Sequence, residues 1–135
     1  MKNKDLKNKA LRKNSKKALP ITALLLLTLP VVAEQKVFEL QIKDHLFQPS
    51  VLYVPAGEKV KLLVLNQDPS PEEFESFSLN REKVILGKGK ATLFIGPLHP
   101  GKYQFFGEYN PDSAQGVLIA LPEDEWLRHK AHHAY

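Results

Sequence analysis

The sequence predicts an all-β fold, an antiparallel Greek-key β-sandwich of seven or eight strands, set between an N-terminal targeting segment and a short tail that reads as helical. Three observations predict it. Apolar residues recur at every second position in several short runs. Proline and glycine turns separate those runs. No stretch before Pro122 carries a sustained helical repeat, and there is no internal repeat.

Residues 1–33 read as a signal peptide. Met1 to Lys17 holds eight Lys or Arg against one Asp, Ala18 to Pro30 is apolar around Leu24 to Leu27, and Val31-Val32-Ala33 supplies small residues for cleavage. The apolar run falls short of the about 20 residues of a membrane span. The expected location is therefore periplasmic, with an uncleaved membrane anchor as the alternative. No cysteine follows the run, which argues against a lipid anchor.

Residues 34–135 keep 11 of the 19 basic residues and 14 of the 15 acidic ones, so the +4 of the whole chain belongs to the targeting segment. No basic patch interleaved with aromatics remains, and nucleic-acid binding is excluded as a reading. The chain has no cysteine, and its single methionine is Met1. An exported domain of this size must hold together by its core alone and has no sulfur ligand.

The elements follow in order over a single domain, 34–121. Val37 to Lys43 places Phe38, Leu40 and Ile42 on one face and polar residues on the other, the mark of a half-buried strand. Asp44 to Ser50 is a loop, Val51 to Val54 a short strand, and Pro55-Ala56-Gly57 a turn. Glu58 to Asn66 is the longest strand and apolar on both sides, as a central strand should be. Gln67 to Glu72 is a proline-broken loop and Phe74 to Leu79 a strand. Glu82 to Leu86 is the optional eighth strand, before the turn at Gly87-Lys88-Gly89. Ala91 to Ile95, Lys102 to Phe106 and Gln115 to Leu121 complete the sandwich, and the loop 107–114 joins the last two.

Residues 122–135 form a C-terminal tail. Pro122 followed by Glu123, Asp124 and Glu125 is a helix-start pattern. His129, His132 and His133 share one helical face at i, i+3 and i+4. The expectation for this segment is a solvated, frayed tail.

Several motifs carry a family resemblance. Phe47-x-Pro49, Val54-x-Ala56-Gly57, Val60, Asn66-x-Asp68, Gly101-x-Tyr103-x-Phe105 and Gly116-x-Leu118 resemble the cupredoxin domain over about residues 36–121. Glu72 to Ser76, Arg81-Glu82-Lys83, Gly96-Pro97-Leu98, Gly107-Glu108 and Ala114-Gln115-Gly116 are similar to the cupredoxin-like proteins of bacterial ferrous-iron uptake and to the EfeO-type domain. That resemblance implies an exported metal-binding protein working beside a high-affinity iron permease and its redox components.

The copper pattern itself is missing. The resemblance puts the copper-binding cysteine at Gly107, the following histidine near Asn110, the methionine near Ala114 or Gln115, and the upstream histidine at Glu75. A type 1 copper site needs a thiolate, which this chain does not have.

Carboxylates take the place of those donors. Alternation through Glu73 to Leu79 groups Glu73, Glu75, Phe77 and Leu79, and with Phe77 and Leu79 read as the core face, Glu75 and Glu73 would point inward at the mouth of the sandwich. The bland alternative pairs Glu75 with Lys83 or Arg81. Glu108 opens the loop that holds copper in the relatives, His45 sits in a loop expected at the same end, and Glu82 matches an acidic position of the iron-uptake relatives. Asp112 reads as a turn residue after Pro111. His99 lies at the far end of its strand, roughly 20 Å from the loop, and reads as surface.

Carboxylates with one imidazole make a hard site that suits iron, manganese or calcium better than cuprous copper. With the resemblance, iron as Fe(II) or Fe(III) is the expected cargo, with Cu(II) on His45 and carboxylates as the alternative. Negative ligands favour Fe(III), so assisted oxidation of ferrous iron is consistent with the site. A copper-binding protein in redox partnership or copper delivery, and a metal-free interaction module, are the competing functions. No catalytic triad or phosphate loop is present.

Overall fold

The computed structural model describes residues 34–133; the targeting segment 1–33 lies outside the described residues. The chain runs through β1 (Lys36–Lys43), β2 (Leu46–Gln48), β3 (Val51–Pro55), β4 (Val60–Asn66), β5 (Glu72–Ser76), β6 (Arg81–Ile85), β7 (Lys90–Ile95), β8 (Gly101–Gly107), β9 (Gln115–Leu121) and α1 (Glu123–His132). These strands form a four-stranded sheet ordered β2-β1-β4-β7 and a five-stranded sheet ordered β3-β9-β8-β5-β6.

The sandwich is as expected, but its sheets are mixed rather than purely antiparallel. β1 pairs with β4 in parallel, from Lys36 opposite Val60 to Ile42 opposite Asn66. β3 pairs with β9 in parallel, from Val51 opposite Val117 to Pro55 opposite Leu121. A parallel pair needs a long crossover, and the chain supplies one by sending β3 into the second sheet before β4 returns to the first.

Period-two patterning places the core as expected in β1 and β4. Leu40 and Ile42 are buried beside Val60, Leu62 and Val64. In the other sheet, the Phe74 and Phe105 rings stack with centroids 5.2 Å apart. Phe47 meets both edge-on, at 6.1 and 5.1 Å. Phe105 lies across from Gly116. A Cβ on Gly116 would stand 2.3 Å from the Phe105 ring, so this position admits only glycine while the aromatic cluster keeps its packing.

Three elements depart from the sequence reading. Within the segment read as the Asp44 to Ser50 loop, Leu46 to Gln48 folds back on β1, with Lys43 opposite Leu46. Asp44 and His45 form the two-residue turn, with φ of 54° and 57°, the left-handed pair that such a hairpin requires. β5 starts two residues before the expected Phe74 and ends at Ser76, and a turn over 77–80 follows. Third, the described part of the tail, 122–133, is a helix docked on the sandwich rather than a frayed segment, though most of its side chains are exposed. α1 packs against β3 and β9, with Trp126 buried and its ring edge-on to Phe38 at 5.8 Å. Among the described residues, no helix is long and apolar enough to cross a membrane.

Candidate metal centre

The early start of β5 reverses the facing of its acids. Glu72, Phe74 and Ser76 are buried, and Glu73 and Glu75 lie on the opposite face. Phe77, read as a core marker, sits in the turn and is 80% exposed. The inward placement of Glu75 and Glu73 is therefore corrected: both face outward. The physical reason is that Phe74 seeds the core side, and the buried Ser76 hydroxyl is satisfied by donating to the Gln104 carbonyl at 2.6 Å.

Outward facing brings the acids together. Glu75 lies directly opposite Glu82 across the β5–β6 ladder, and Glu73 lies opposite Val84. Directly opposed residues share a face. Glu73, Glu75 and Glu82 each offer a carboxylate oxygen, and these oxygens lie within 4.8 Å of one another. The neighbouring bases are on the other side, because Arg81 is opposite Ser76 and Lys83 opposite Phe74. Arg81 spends its guanidinium on the carbonyls of Phe94 and Asn80. The pairing of Glu75 with Lys83 or Arg81 is not formed.

The electrostatics follow from that geometry. Burial first, and then the charges of Glu82, Glu108 and Glu73, hold the Glu75 carboxyl above its ordinary value. Glu108 thus joins the field of the cluster from the next loop, where its backbone N–H donates to the Glu73 carbonyl at 2.9 Å. Partial burial, followed by the Glu73 charge and hydrogen bond, also raises the Tyr109 phenol. Such a cluster holds anionic oxygen donors in mutual repulsion, which a bound cation relieves.

His45 is not part of it. Its backbone N–H and that of Asp44 donate to the Asp68 carboxylate at 2.9 and 2.8 Å, and its ring Nδ1 lies 3.7 Å from Asp68 Oδ2. These contacts, His45's foremost, hold Asp68 below the usual carboxylate range against the opposing effect of burial. Asp68, which neighbours the imidazole, lines a separate depression with Lys43, Asp44 and Lys88. Asp112 is exposed in a turn, as read from the sequence. His99 is exposed too, and its carbonyl accepts a hydrogen bond from the Tyr103 hydroxyl at 2.8 Å.

The pole where the resemblance puts copper is filled by a residue the sequence reading left in a loop. Glu72 is 1% exposed. Its Oε1 accepts from the backbone N–H groups of Glu73 and Tyr109, both at 3.0 Å. Its Oε2 accepts from Asn110 Nδ2 at 2.7 Å. A Cβ on Gly107 would stand 2.6 Å from the Glu72 carboxyl carbon and 2.7 Å from the Ala114 methyl. Gly107, Asn110 and Ala114 therefore converge on Glu72, not on Glu75, and the space holds a hydrogen-bonded carboxylate. The alternation Glu72-x-Phe74-x-Ser76 was the signal that could have found it.

Comparison with known proteins agrees with this architecture. Residues 17–120 match the family described as the cupredoxin-like domain. An uncharacterized protein of Rickettsia prowazekii (strain Madrid E) is 42% identical over 81 residues, which cover 60% of this chain and 65% of that protein. The chain thus spans just under two thirds of that relative. Among solved structures, auracyanin A, a blue copper protein from Chloroflexus aurantiacus, superposes with a TM-score of 0.58 at 14% identity, covering 65% of this chain and 100% of that one. The metal-binding domain of the Cu(I)-exporting P-type ATPase of Streptococcus pneumoniae D39, solved with Cu(I), superposes with a TM-score of 0.56 at 13% identity, covering 63% and 84%. Two face-packed sheets in this strand order, with the family match over most of the length, establish that this chain belongs to the cupredoxin-like domain family.

Proposed function

We propose that this protein is an exported iron-binding protein that serves a high-affinity iron permease and its redox partners. Its cargo site would be the outward carboxylates of Glu73, Glu75 and Glu82, with Glu108 adding its charge. The observation that carries this reading is three carboxylate oxygens within 4.8 Å of one another, on a sheet face that the neighbouring bases leave free. The donor chemistry fits. Anionic oxygens suit iron and do not suit cuprous copper, the chain has no cysteine, and the pole where the resemblance puts copper is occupied by Glu72. Because negative ligands favour the higher charge, the site biases iron toward Fe(III) whenever an electron acceptor is supplied.

The test is calorimetric titration of the purified full chain with Fe(II) under anaerobic conditions, with chelate-buffered Fe(III), and with Cu(II). Glu75→Gln and Glu82→Gln are each expected to weaken iron binding by about tenfold or more. Iron binding that is unchanged in both variants, or absent from the wild type, would overturn the reading.

A further inference from the structure

The outer face of the five-stranded sheet carries more than acids. Glu82, Glu75, Phe106 and Gln115 stand opposite one another in register, one row across β6, β5, β8 and β9. The exposed Phe77 ring leans on that of Phe106, with centroids 5.6 Å apart and planes inclined by 56°. An aromatic ridge therefore divides two depressions. One, of about 310 Å³, is lined by Glu75, Glu82 and Phe77. The other, of about 510 Å³, is lined by Phe106, Pro111 and Val117, with Gln104 and Gln115. Arg81 borders the smaller one, but its guanidinium is held by the carbonyls of Phe94 and Asn80. Lys102, on the same side of β8 as Phe106, is roughly 13 Å farther along the strand.

We propose that this face docks a partner protein through an extended segment in which an Arg precedes an aromatic residue by three positions. An exposed apolar ridge beside a field of one charge sign marks an interaction surface, and the sign selects the partner. A guanidinium pairs with carboxylates through two N–H groups at once and also lies flat on an aromatic ring. Glu75, Glu82 and the Phe77 ring line one depression, so they suit Arg better than Lys. Across the ridge, the walls of Phe106, Pro111 and Val117 suit a large planar side chain. From β5 to β9 is two strand spacings, about 10 Å, which three residues of extended chain cover. A second copy of this chain is disfavoured as the occupant, because Glu73, Glu75 and Glu82 would meet their like; an anionic lipid surface is disfavoured for the same reason. The surface goes beyond the iron reading and stands without it. Where both hold, a docked guanidinium and a bound ion compete for the same carboxylates.

The probe is the peptide acetyl-Arg-Arg-Ser-Thr-Trp-Leu-amide, titrated into the isotope-labelled full chain in a chelating buffer, with amide shifts followed by nuclear magnetic resonance. Saturable shifts are expected at Glu75, Phe77, Glu82, Phe106 and Gln115. Phe77→Ser alters an exposed turn residue and should weaken binding by about fivefold or more. Phe94→Ser, at an exposed aromatic of the other sheet, should leave it unchanged. Peptides with Glu for both Arg, or with Ser for Trp and Leu, should each bind at least about fivefold more weakly. Equal binding of the Ser peptide overturns the proposal, as do a Phe77→Ser titration that matches wild type and shifts centred on Phe94. So do self-association through this face, read by sedimentation, and shifts at these amides on adding phosphatidylglycerol vesicles. The chelator keeps metal out of the titration, so a failure of iron binding and a failure of docking are read separately.

Discussion

The carboxyl carbon of Glu72 lies 2.6 Å from the point where a Cβ on Gly107 would stand, so these two residues share one space and only glycine leaves room for the acid. Three N–H donors hold that acid in place, two of them from Tyr109 and Asn110 in the loop after β8. The pair closes the end of the sandwich with a hydrogen-bonded carboxylate.

Gly107→Ala is therefore expected to destabilise the domain by about 1–3 kcal/mol, the cost of overpacking a filled core. Glu72→Ala is also expected to destabilise it, by leaving buried donors without acceptors. Because the two side chains would compete for one volume, the double variant should cost less than the sum of the single variants, by about 0.5–3 kcal/mol. Urea unfolding of the four proteins measures the coupling, and strict additivity would refute it.

Two carboxylates should shift stability with pH in opposite senses. Glu75 is raised above its ordinary 4.5 in the folded protein. The folded state then holds the Glu75 proton over a window that starts near that value, and stability falls as pH rises through it. Asp68 is lowered below 3.8. Its contribution is complete above that value and is lost as pH falls through the lower folded pKa. Glu75→Gln should raise the thermal midpoint relative to wild type at neutral pH and lose that advantage in acid. Asp68→Asn should lower the midpoint at neutral pH, with a smaller difference in acid. Thermal melts across the acid range check both signs.

Trp126 anchors α1, with Phe38 edge-on to its ring, yet its indole Nε1 is buried without a hydrogen-bond partner among the described residues. Trp126→Ala should cost about 3–5 kcal/mol, the range for emptying a buried aromatic site. Trp126→Phe keeps an aromatic and removes the orphan donor, so it should cost under about 1.5 kcal/mol. Urea unfolding midpoints of the two variants separate the packing from the unsatisfied N–H, and equal losses would show that ring volume is not what holds the helix.

Short-range pattern made most of the sandwich legible in the sequence. Leu40 and Ile42, and Val60, Leu62 and Val64, were placed by alternation alone, because each strand buries one face. The lack of a thiolate was legible from composition. What alternation could not supply was phase where a strand meets a turn. Leu79 is buried as read, but Phe77 is exposed, because the chain bends at 77–80, with Asn80 at a φ of 50°, and Phe74 sets the parity of the strand. The remaining misses depend on partners distant in sequence. Glu72 is held by Tyr109 and Asn110, 37 and 38 residues away. The backbone of His45 is tied to Asp68, 23 residues away. Trp126 and His129 rest on Phe38 and Tyr53. Glu73, Glu75 and Glu82 were all named from the sequence, yet they converge on the outer face because two adjacent strands present them in register.

β6 is the outermost strand of the five-stranded sheet, and β5 is its only ladder partner in that sheet. The three acids straddle this seam, two on β5 and one on β6, so their repulsion pries at the rim of the sheet. Neutralising them, by protons or by an ion spanning the seam, would fasten the rim like a clasp. Amide protons of β6 should then exchange with solvent more slowly when the clasp is closed, while those of β4 in the other sheet keep their pace.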